Sequence, residues 1–313
     1  MQCRSTIRSL VYNARSESQG DRNVKPEFFM HRRRALLALG ALPLSRLAAA
    51  AEDVEAKRTG GPYVPTPQVV VDEMLRIGKV GANDFVIDLG SGDGVIVLTA
   101  AQKLKARGFG VDIDPELVKL SNNEAKKRGV ADRASFQVQD VFKADISKAT
   151  VVTLYLLPGM MMNLRSKIFN DLKPGARVVS HDYHFDDWRA DDQYTWDVPE
   201  KEKINGVPRA TVYLWIIPAK IAGRWQVRVA GGGSAEEYEL TLRQQFQTFT
   251  GEDAKGGKLV TTLLSGENIS FALPTTGGRH TFKGRVTGDT MEGAVELPGG
   301  KGAAKWTAVR QKA

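Results

Sequence analysis

A glycine-rich turn between a predicted strand and a predicted helix carries the strongest chemical signal in the 313-residue sequence. The segment that begins at Val86 reads Val-Ile-Asp-Leu-Gly-Ser-Gly-Asp-Gly, so a buried strand would end at Asp88 and a helix would start directly after Gly94. Glycines let the backbone take positive φ and approach a ligand closely, and a helix N-terminus favours negative charge. The turn therefore predicts a ligand site at the carboxyl end of the strand.

Acidic side chains at and beyond this turn indicate which ligand it binds. Asp112 follows the turn by about twenty residues, a spacing that suits a carboxylate bound to ribose hydroxyls. Asp88 and Asp93 would repel the pyrophosphate of a dinucleotide, but they suit the ammonium group of an amino acid. Asp140, after the third predicted strand, suits an adenine amino group. A nicotinamide-dependent enzyme and a fold without a ligand are the alternatives at this point.

The pattern Asp-x-Gly-x-Gly-x-Gly, with Asp112 and Asp140 behind it in order, resembles the class I S-adenosylmethionine (SAM) methyltransferases. The resemblance covers residues 61–218. It implies a Rossmann-like α/β fold with a seven-stranded sheet, helices on both faces and an antiparallel last hairpin. It also implies SAM as the cofactor, with Asp112 on the ribose, Ile113 on the adenine face, and Asp140 with Val141 around adenine. The cofactor-binding residues that it implies in this domain are Asp88, Gly90, Ser91, Gly92, Asp112, Ile113, Asp140 and Val141.

The segment upstream of the turn, residues 61–67, reads Gly-Pro-Tyr-Val-Pro-Thr-Pro. Together with Asp-Leu-Gly-Ser-Gly-Asp-Gly it is similar to a group of small protein-lysine methyltransferases, which includes the mitochondrial enzymes that modify the ATP-synthase c-subunit and the adenine nucleotide translocase. In that group the upstream segment covers the cofactor, which implies Tyr63 and Thr66 as lid contacts; a stiff linker is the alternative. Val95 stands where the group commonly has arginine, and the C-terminal tail is foreign to the mitochondrial members.

The sequence says less about the residues that bind the methyl acceptor. Methyl transfer to an amine needs an aligned, neutral nucleophile, and the candidates for a catalytic role are Tyr155 and His181. Residues 182–208 are predicted to form a loop, an acidic and aromatic mouth that attracts a cationic substrate and repels nucleic acid. Its acids are Asp182, Asp186, Asp187, Asp191, Asp192, Asp197, Glu200 and Glu202, and its aromatic residues are Tyr183, Phe185 and Trp188. His181 and His184 would point to opposite faces of a strand, so no metal site is predicted.

Short apolar runs alternate with segments of helical periodicity between residues 61 and 218, which predicts a parallel sheet covered on both faces. The predicted strands are Phe85–Leu89, Gly110–Ile113, Ser135–Val138, Val151–Leu157 and Arg177–Ser180, and the predicted helices are Val95–Ala106, Glu116–Arg128 and Met160–Leu172. A final apolar run, Ala210–Ile217, is predicted to add an edge strand.

The sequence changes character at residue 219. The last 95 residues hold 16 of the 31 glycines, and polar and apolar residues alternate in segments such as Phe282–Val286. Frequent turns and alternation with a period of two predict a small antiparallel β-sandwich or barrel. No pattern in this tail indicates catalysis, so we expect an accessory domain that is structural or presents the substrate.

The first 51 residues resemble an export signal. Three arginines at 32–34 precede the uncharged apolar run 35–45, and small residues follow at 48–51, which is typical of twin-arginine signals; the true start would then be Met30. The predicted location is the periplasm, the membrane if the leader is not cleaved, or the cytoplasm if the leader does not function.

Composition narrows the function classes. The formal net charge is +8, but residues 1–51 carry nine basic and three acidic side chains, which leaves 35 basic against 33 acidic in the rest. This balance gives no support to a nucleic-acid-binding protein. The one cysteine, Cys3, excludes a disulfide framework and a cysteine zinc site. No uncharged apolar stretch reaches the roughly 18 residues of a transmembrane helix.

The sequence thus predicts a leader (1–51), a SAM-dependent methyltransferase domain (52–218) with a lid segment at 61–67, and a β-rich accessory domain (219–313). The predicted reaction is methyl transfer to an amine of a cationic protein or small molecule, with a protein lysine as the leading acceptor and without nucleic acid or metal. The alternatives are an exported protein that binds SAM without turnover and a small-molecule methyltransferase.

Overall fold

The computed structural model describes residues 61–230, 236–298 and 303–312. The predicted leader, with Cys3 and the twin-arginine pattern, lies outside the described residues. The described chain forms two sheets, of which the first ends at Ile216 and the second begins at Gly223. The domain limits at residues 51 and 218 stay predictions.

Five helices accompany the first sheet, and none in the described part of the chain is long and apolar enough to span a membrane. The helices are α1 (Gln68–Ile77), α2 (Val95–Leu104), α3 (Pro115–Lys127), α4 (Pro158–Asp171) and α5 (Pro199–Asn205). The strands are β1 (Phe85–Leu89), β2 (Arg107–Asp112), β3 (Ala134–Val138), β4 (Val151–Leu154), β5 (Arg177–His181), β6 (Asp192–Asp197) and β7 (Arg209–Ile216).

The first sheet has the strand order β3-β2-β1-β4-β5-β7-β6. The first five strands run parallel, and β7 pairs antiparallel with both β5 and β6. Buried apolar side chains cover both faces, with Val70, Met74 and Val97 in one cluster and Met161 and Ile168 in the other. The predicted Rossmann-like methyltransferase sheet with its antiparallel last hairpin is therefore confirmed.

Three details differ from the sequence predictions. The predicted strand Val151–Leu157 ends at Leu154, because the chain turns there and enters α4 at Pro158. Residues 182–208 are not one loop, since they contain β6 and α5. The predicted edge strand, Ala210–Ile217, corresponds to β7 and lies inside the sheet, where β6 forms the edge. Four of the six residues of β6 are polar (Asp192, Gln193, Thr195 and Asp197) and five are exposed, so the segment lacks the apolar run that predicts a buried strand.

The second sheet is antiparallel throughout and has the order β10-β9-β8-β15-β14-β13-β12-β11. A hydrogen bond of 2.8 Å from the Leu259 N–H to the Gly251 carbonyl joins β10 to the segment before β11, so the sheet closes almost completely into a barrel. Apolar side chains fill its interior, among them the buried Trp225, Phe282 and Trp306. Its strands are β8 (Gly223–Ala230), β9 (Glu236–Gln245), β10 (Thr248–Asp253), β11 (Val260–Ser265), β12 (Asn268–Thr275), β13 (Gly278–Thr287), β14 (Thr290–Glu296) and β15 (Ala303–Arg310).

Candidate functional site

The turn after β1 has the conformation that its glycines allow. Gly90, Gly92 and Gly94 have positive φ angles of 81°, 52° and 79°. A Cβ on Gly90 would come within 2.6 Å of the Leu156 side chain, and one on Gly92 within 2.5 Å of the Tyr63 ring. Gly90 and Gly92 are therefore needed both for conformation and for space, because other residues pack directly on their backbone.

Asp112 links this turn to the end of β2. Its Oδ2 accepts a hydrogen bond of 2.8 Å from the backbone N–H of Gly92, and its Oδ1 accepts one of 2.9 Å from the N–H of Asp114. An ionised carboxylate has about four acceptor positions. The two bonds fix the orientation of Asp112 and leave acceptor capacity for hydroxyl groups of a ligand.

Helix α3 holds both strand ends in place. Asp114 caps the helix, since its Oδ1 accepts a hydrogen bond of 2.9 Å from the Glu116 N–H, and Pro115 occupies the first helical position. One turn further, the Ser121 hydroxyl donates to the Gly92 carbonyl at 2.9 Å. The glycine turn is thus attached to α3 as well as to β2.

A cleft at the carboxyl ends of the strands collects the predicted cofactor residues. Its empty volume, with the open solvent at its mouth included, is about 1260 Å³. All ten residues assigned to the cofactor from the sequence line it: Tyr63, Thr66, Asp88, Gly90, Ser91, Gly92, Asp112, Ile113, Asp140 and Val141. The structure brings them together, and their individual contacts with the cofactor stay predictions.

The lining of the cleft is acidic. It includes Asp88, Asp93, Asp112, Asp114 and Asp140, and none of its described lining residues is a lysine or an arginine. Such a lining attracts positively charged ligands and repels phosphate groups. It fits SAM, which carries a sulfonium and an ammonium group, better than a nicotinamide dinucleotide with its pyrophosphate.

Asp88 is the most buried of these acids, with 2% of its surface exposed. The Thr153 hydroxyl donates a hydrogen bond of 2.7 Å to its Oδ1. Burial raises the pKa of Asp88 to about 7; the Asp112 and Asp93 carboxylates act in the same direction, and the bond from Thr153 opposes them. A cation bound beside Asp88 would favour its ionised form.

Other side chains of the cleft fit the nucleoside part of SAM. Ile113 and Phe142 are 45% and 38% exposed and line the cleft together with the buried Val141, so apolar surface is available for an adenine ring. Asp112, the predicted ribose ligand, keeps acceptor capacity for hydroxyl groups beside its two backbone bonds. The Ser91 hydroxyl is buried without a hydrogen-bond partner among the described residues, and a bound ligand would satisfy it.

The upstream segment lies over the glycine turn. Tyr63 and Thr66 line the cleft, and the Tyr63 ring contacts the backbone of Gly92. Burial, reinforced by the Asp93 carboxylate, raises the pKa of the Tyr63 phenol, so this lid residue stays protonated. Helix α1 follows directly and is attached to α2 through a bond of 3.3 Å from Gln68 Nε2 to the Thr99 hydroxyl.

Two tyrosines line the cleft beyond the ends of β4 and β5. The rings of Tyr155 and Tyr183 are stacked, with centroids 6.3 Å apart and 19° between their planes. Burial, followed by the Asp182 carboxylate, raises the pKa of Tyr155 to about 12, so its hydroxyl is neutral at physiological pH. The other residues that line this end are apolar: Leu156, Leu157 and Met160.

Comparison with known proteins identifies the family of this fold and site. A family model described as the ANTKMT methyltransferase domain matches residues 88–192. A protein-lysine N-methyltransferase of Saccharolobus islandicus (strain REY15A) is 42% identical over 158 residues, which cover 50% of this chain and 93% of that protein. The chain belongs to the protein-lysine N-methyltransferase family. As a member of this family, the methyltransferase uses SAM as its cofactor.

Two further similarities cover 42% and 50% of the methyltransferase. A lysine N-methyltransferase of the ATP-synthase c-subunit from Xenopus laevis is 33% identical over 130 residues, which cover 42% of this chain and 57% of that protein. The methyltransferase therefore spans little more than half the length of this relative. A crystal structure described as an RNA methyltransferase from Salinibacter ruber with S-adenosyl-L-homocysteine is 49% identical, with a TM-score of 0.45, and the match covers 50% of this chain and 96% of that chain.

His181, the second catalytic candidate, does not line the cleft of the methyltransferase. It ends β5, its side chain is fully buried, and its ring centroid lies 4.0 Å from that of Tyr155. Burial lowers the pKa of His181 to about 4 although the neighbouring Asp182 acts in the opposite direction, so the imidazole is neutral at physiological pH. The structure places Tyr155 at the cleft and His181 behind it as packing support.

A buried ion pair next to His181 was not expected from the sequence. The Lys201 ammonium, on a residue that is 2% exposed, pairs with the Asp182 carboxylate and donates to the Arg209 carbonyl. Asp182 has a φ of 63° and accepts a hydrogen bond of 3.1 Å from the Thr211 N–H. Nothing in the sequence indicates that Lys201 is buried, because a lysine in an acidic segment is normally exposed.

The prediction of an aromatic mouth at residues 182–208 is wrong for two of its three aromatic residues. Phe185 and Trp188 are 0% and 1% exposed and belong to the core, and only Tyr183 of the three predicted aromatic residues lines the cleft. Several acids of the segment are paired with cations: Asp182 with Lys201, Asp187 with Arg165 and Asp197 with Arg209. The acidity of the cleft comes instead from the glycine turn and from the ends of β2 and β3.

His184 makes a local hydrogen bond with the backbone of its own segment. His184 lies beyond the end of β5, and its Nδ1 accepts a hydrogen bond of 3.0 Å from the Asp186 N–H. Within the described residues, no group of three or more His, Cys, Asp or Glu side chains is placed to hold a metal ion. Phe142, Leu156 and Met160 line the cleft without having been predicted; their only sequence signal is their position just after a strand or an acidic strand end.

Proposed function

We propose that the methyltransferase transfers the methyl group of SAM to the ε-amine of a lysine in a protein substrate. The observation that carries this proposal is the contrast within the cleft, which has five aspartates at one end and an uncharged, tyrosine-walled lining at the other. The first end attracts cations, and the second disfavours a protonated amine. The similarity to a protein-lysine N-methyltransferase of Saccharolobus islandicus supports a protein lysine as the acceptor.

The residues of the acceptor end have to bind an amine in its unprotonated form, although a lysine in water has a pKa near 10.4. SAM, when bound, supplies an electrophilic methyl group on its sulfonium sulfur. Burial between Tyr155, Tyr183 and their apolar neighbours lowers the pKa of the amine, because desolvation penalises the ammonium form. With the amine neutral, the remaining task of these side chains is to align it, and the neutral Tyr155 hydroxyl need not accept a proton.

Transfer of a labelled methyl group tests this proposal. The full chain is incubated with methyl-labelled SAM and a cell extract, and the products are treated separately with nuclease and with protease. We expect label that resists nuclease and is released by protease. Asp112→Ala should abolish labelling, and Asp132→Ala, on an exposed side chain outside the cleft lining, should label like the wild type.

Other outcomes of this experiment identify other functions. Label released by nuclease would show an RNA acceptor, and label in the small-molecule fraction would show a small-molecule methyltransferase. Binding of SAM without any transfer would show a binding protein without turnover. Each of these three results would overturn the proposal of a protein acceptor.

We further propose that residues 1–51 direct the protein out of the cytoplasm. The three arginines at 32–34, the apolar run 35–45 and the small residues at 48–51 support this proposal. In fractionated cells the wild type should lie in the periplasm or at the membrane, and replacement of the three arginines by lysine should retain the protein in the cytoplasm. A cytoplasmic wild type would contradict the proposal.

A further inference from the structure

The hairpin between β9 and β10 of the barrel packs against α4 and the segment that follows β5. Phe246, at the tip of this hairpin, stacks on Trp188 with ring centroids 4.6 Å apart and 6° between the planes. It meets the ring of Phe169, on α4, edge-on at 5.5 Å, and the Arg165 guanidinium lies 5.5 Å from its centre. A residue of the barrel thus completes an aromatic cluster in the other domain.

The hairpin tip is held in a strained conformation. Phe246 has a φ of 53°, which large side chains rarely adopt. Gln244 Nε2 donates to the carbonyls of Phe246 at 2.7 Å and of Ala219 at 2.9 Å, and Gln247 Nε2 donates to the Arg189 carbonyl at 2.6 Å. Strain of this kind persists where the surroundings over-determine the conformation, so the tip is kept in place by its contacts on both sides.

Trp188 and Arg189 belong to a connection that also reaches the cleft. We name residues 182–191 the acceptor loop. Near its start Tyr183 lines the cleft and stacks on Tyr155, and near its end Trp188 and Arg189 contact the hairpin tip. No helix or strand lies within the loop, so its conformation depends on contacts with other elements.

We propose that Phe246 is a positioning residue for the acceptor site, and that the barrel braces the acceptor loop through it. By holding Trp188, Phe246 fixes the loop and thereby the Tyr183 ring beside Tyr155. The proposal rests on the proposed function in one respect, namely that the acceptor enters the cleft beside Tyr183. The cofactor side is built from the turn after β1 and the ends of β2 and β3, on the other half of the sheet, so its affinity for SAM should not depend on Phe246.

Limited proteolysis of the full chain tests whether the barrel braces the acceptor loop, and the test does not depend on methyl transfer. Arg189 is exposed and offers trypsin a cleavage site inside the acceptor loop. The Phe246→Ala variant should be cleaved after Arg189 about three- to tenfold faster than the wild type, the range expected for the loss of an aromatic contact. Phe246→Tyr, which keeps the ring, and Gln245→Ala, which removes an exposed side chain of the same hairpin, should be cleaved at the wild-type rate. Should Phe246→Ala fail to fold, Gln247→Ala removes a single bond to the loop and should also accelerate cleavage. Cleavage of Phe246→Ala and of Gln247→Ala at the wild-type rate would overturn the proposal.

Separate measurements of the affinity for the acceptor and for SAM distinguish a positioning role of Phe246 from general destabilisation. With extract proteins as the acceptor, Phe246→Ala should raise the half-saturating protein concentration about three- to tenfold and leave the Kd of SAM within about twofold. Equal weakening of both would show general destabilisation and overturn the proposal. If the wild type labels no protein, the proposed function fails, and the proteolysis experiment still decides whether the barrel braces the loop.

Discussion

The carboxylate of Asp112 accepts a hydrogen bond of 2.8 Å from the backbone N–H of Gly92, which lies 20 residues earlier in the chain. This bond connects the end of β2 with the turn after β1. Since both residues line the cleft, a ligand that binds Asp112 also meets a turn whose conformation Asp112 stabilises. The two strongest sequence signals of the chain are therefore parts of one site.

Replacing Asp112 by asparagine should separate the charge of this residue from its size. The Asp112→Asn side chain would still offer one oxygen to the turn, but it would lose the ionised acceptor that suits ribose hydroxyls. We expect the Kd of SAM, measured by calorimetry, to rise roughly 10- to 100-fold, which is the usual value of a hydrogen bond to a charged group. Asp132→Asn is the matched control, and a Kd of Asp112→Asn within about twofold of the wild type would contradict the assignment.

The raised pKa of Asp88 makes both stability and SAM binding depend on pH. Its folded-state pKa of about 7 lies above the ordinary value of 3.8. The stability contributed by protonated Asp88 is therefore fully present below the ordinary value and is lost as the pH rises through about 7. In the same interval the ionised carboxylate becomes available to a cationic ligand, so the affinity for SAM should increase from pH 6 to pH 8.

Asp88→Asn should remove both effects. The variant keeps an oxygen for the Thr153 hydroxyl and carries no charge. Without ligand it should unfold at a higher temperature than the wild type at pH 8, and its Kd for SAM should be weaker and nearly independent of pH. Thermal unfolding and calorimetry at pH 6, 7 and 8 measure the two quantities. A wild-type pH dependence in Asp88→Asn would assign the titration to another group.

Alanine at two glycine positions should separate backbone strain from contact with the lid. Gly92 and Gly129 both have positive φ, of 52° and 66°, so either substitution should cost about 1 kcal/mol of unfolding free energy. A Cβ at Gly129 would meet open space, whereas one at Gly92 would collide with Tyr63. Only Gly92→Ala should therefore weaken SAM binding, and equal affinities of the two variants would show that the Tyr63 contact does not matter.

The buried Lys201 should be needed for the stability of the region behind Tyr155. In Lys201→Met the Asp182 carboxylate loses its counter-charge, and breaking a buried pair in this way costs about 3 kcal/mol of unfolding free energy. Lys203→Met, on the exposed side of the same helix, should change this free energy by less than about 0.5 kcal/mol in urea denaturation. The pKa of His181 should also rise, because Asp182 then acts on it without Lys201; an unchanged histidine NMR titration would argue against this coupling.

The sequence was sufficient to predict that the ten residues assigned to the cofactor meet in one cleft, because its signals there are local and ordered. Asp88, the glycines and Asp112 lie at strand ends that follow one another, and parallel strands bring such ends to one edge of the sheet. The same logic located Asp140 and Val141. Alternating apolar runs and helical periodicity were enough to predict the five parallel strands and the three helices between them.

The acceptor side depends on contacts that are distant in the sequence. Trp188 packs against Phe169, Phe185 and Trp215, and Phe246, 58 residues later, stacks on its ring. Nothing near Trp188 in the chain indicates this last contact. Lys201 is buried because its helix packs its ammonium against Asp182. The edge strand β6 forms from a mostly polar, exposed segment because β7 offers it hydrogen-bonding groups. Such features follow from tertiary packing, which overrides the local pattern.

Identification of the methylated atom tests the proposed function most directly. Extract proteins are incubated with SAM and either the wild type or Asp112→Ala, and the products are examined by tandem mass spectrometry. We predict a methyl group on the side-chain amine of lysine in a protein that the wild type modifies and Asp112→Ala does not. Methylation of a nucleotide, of a small molecule or of a protein atom other than a lysine amine would contradict the proposed function, as would the absence of any product that depends on the wild type.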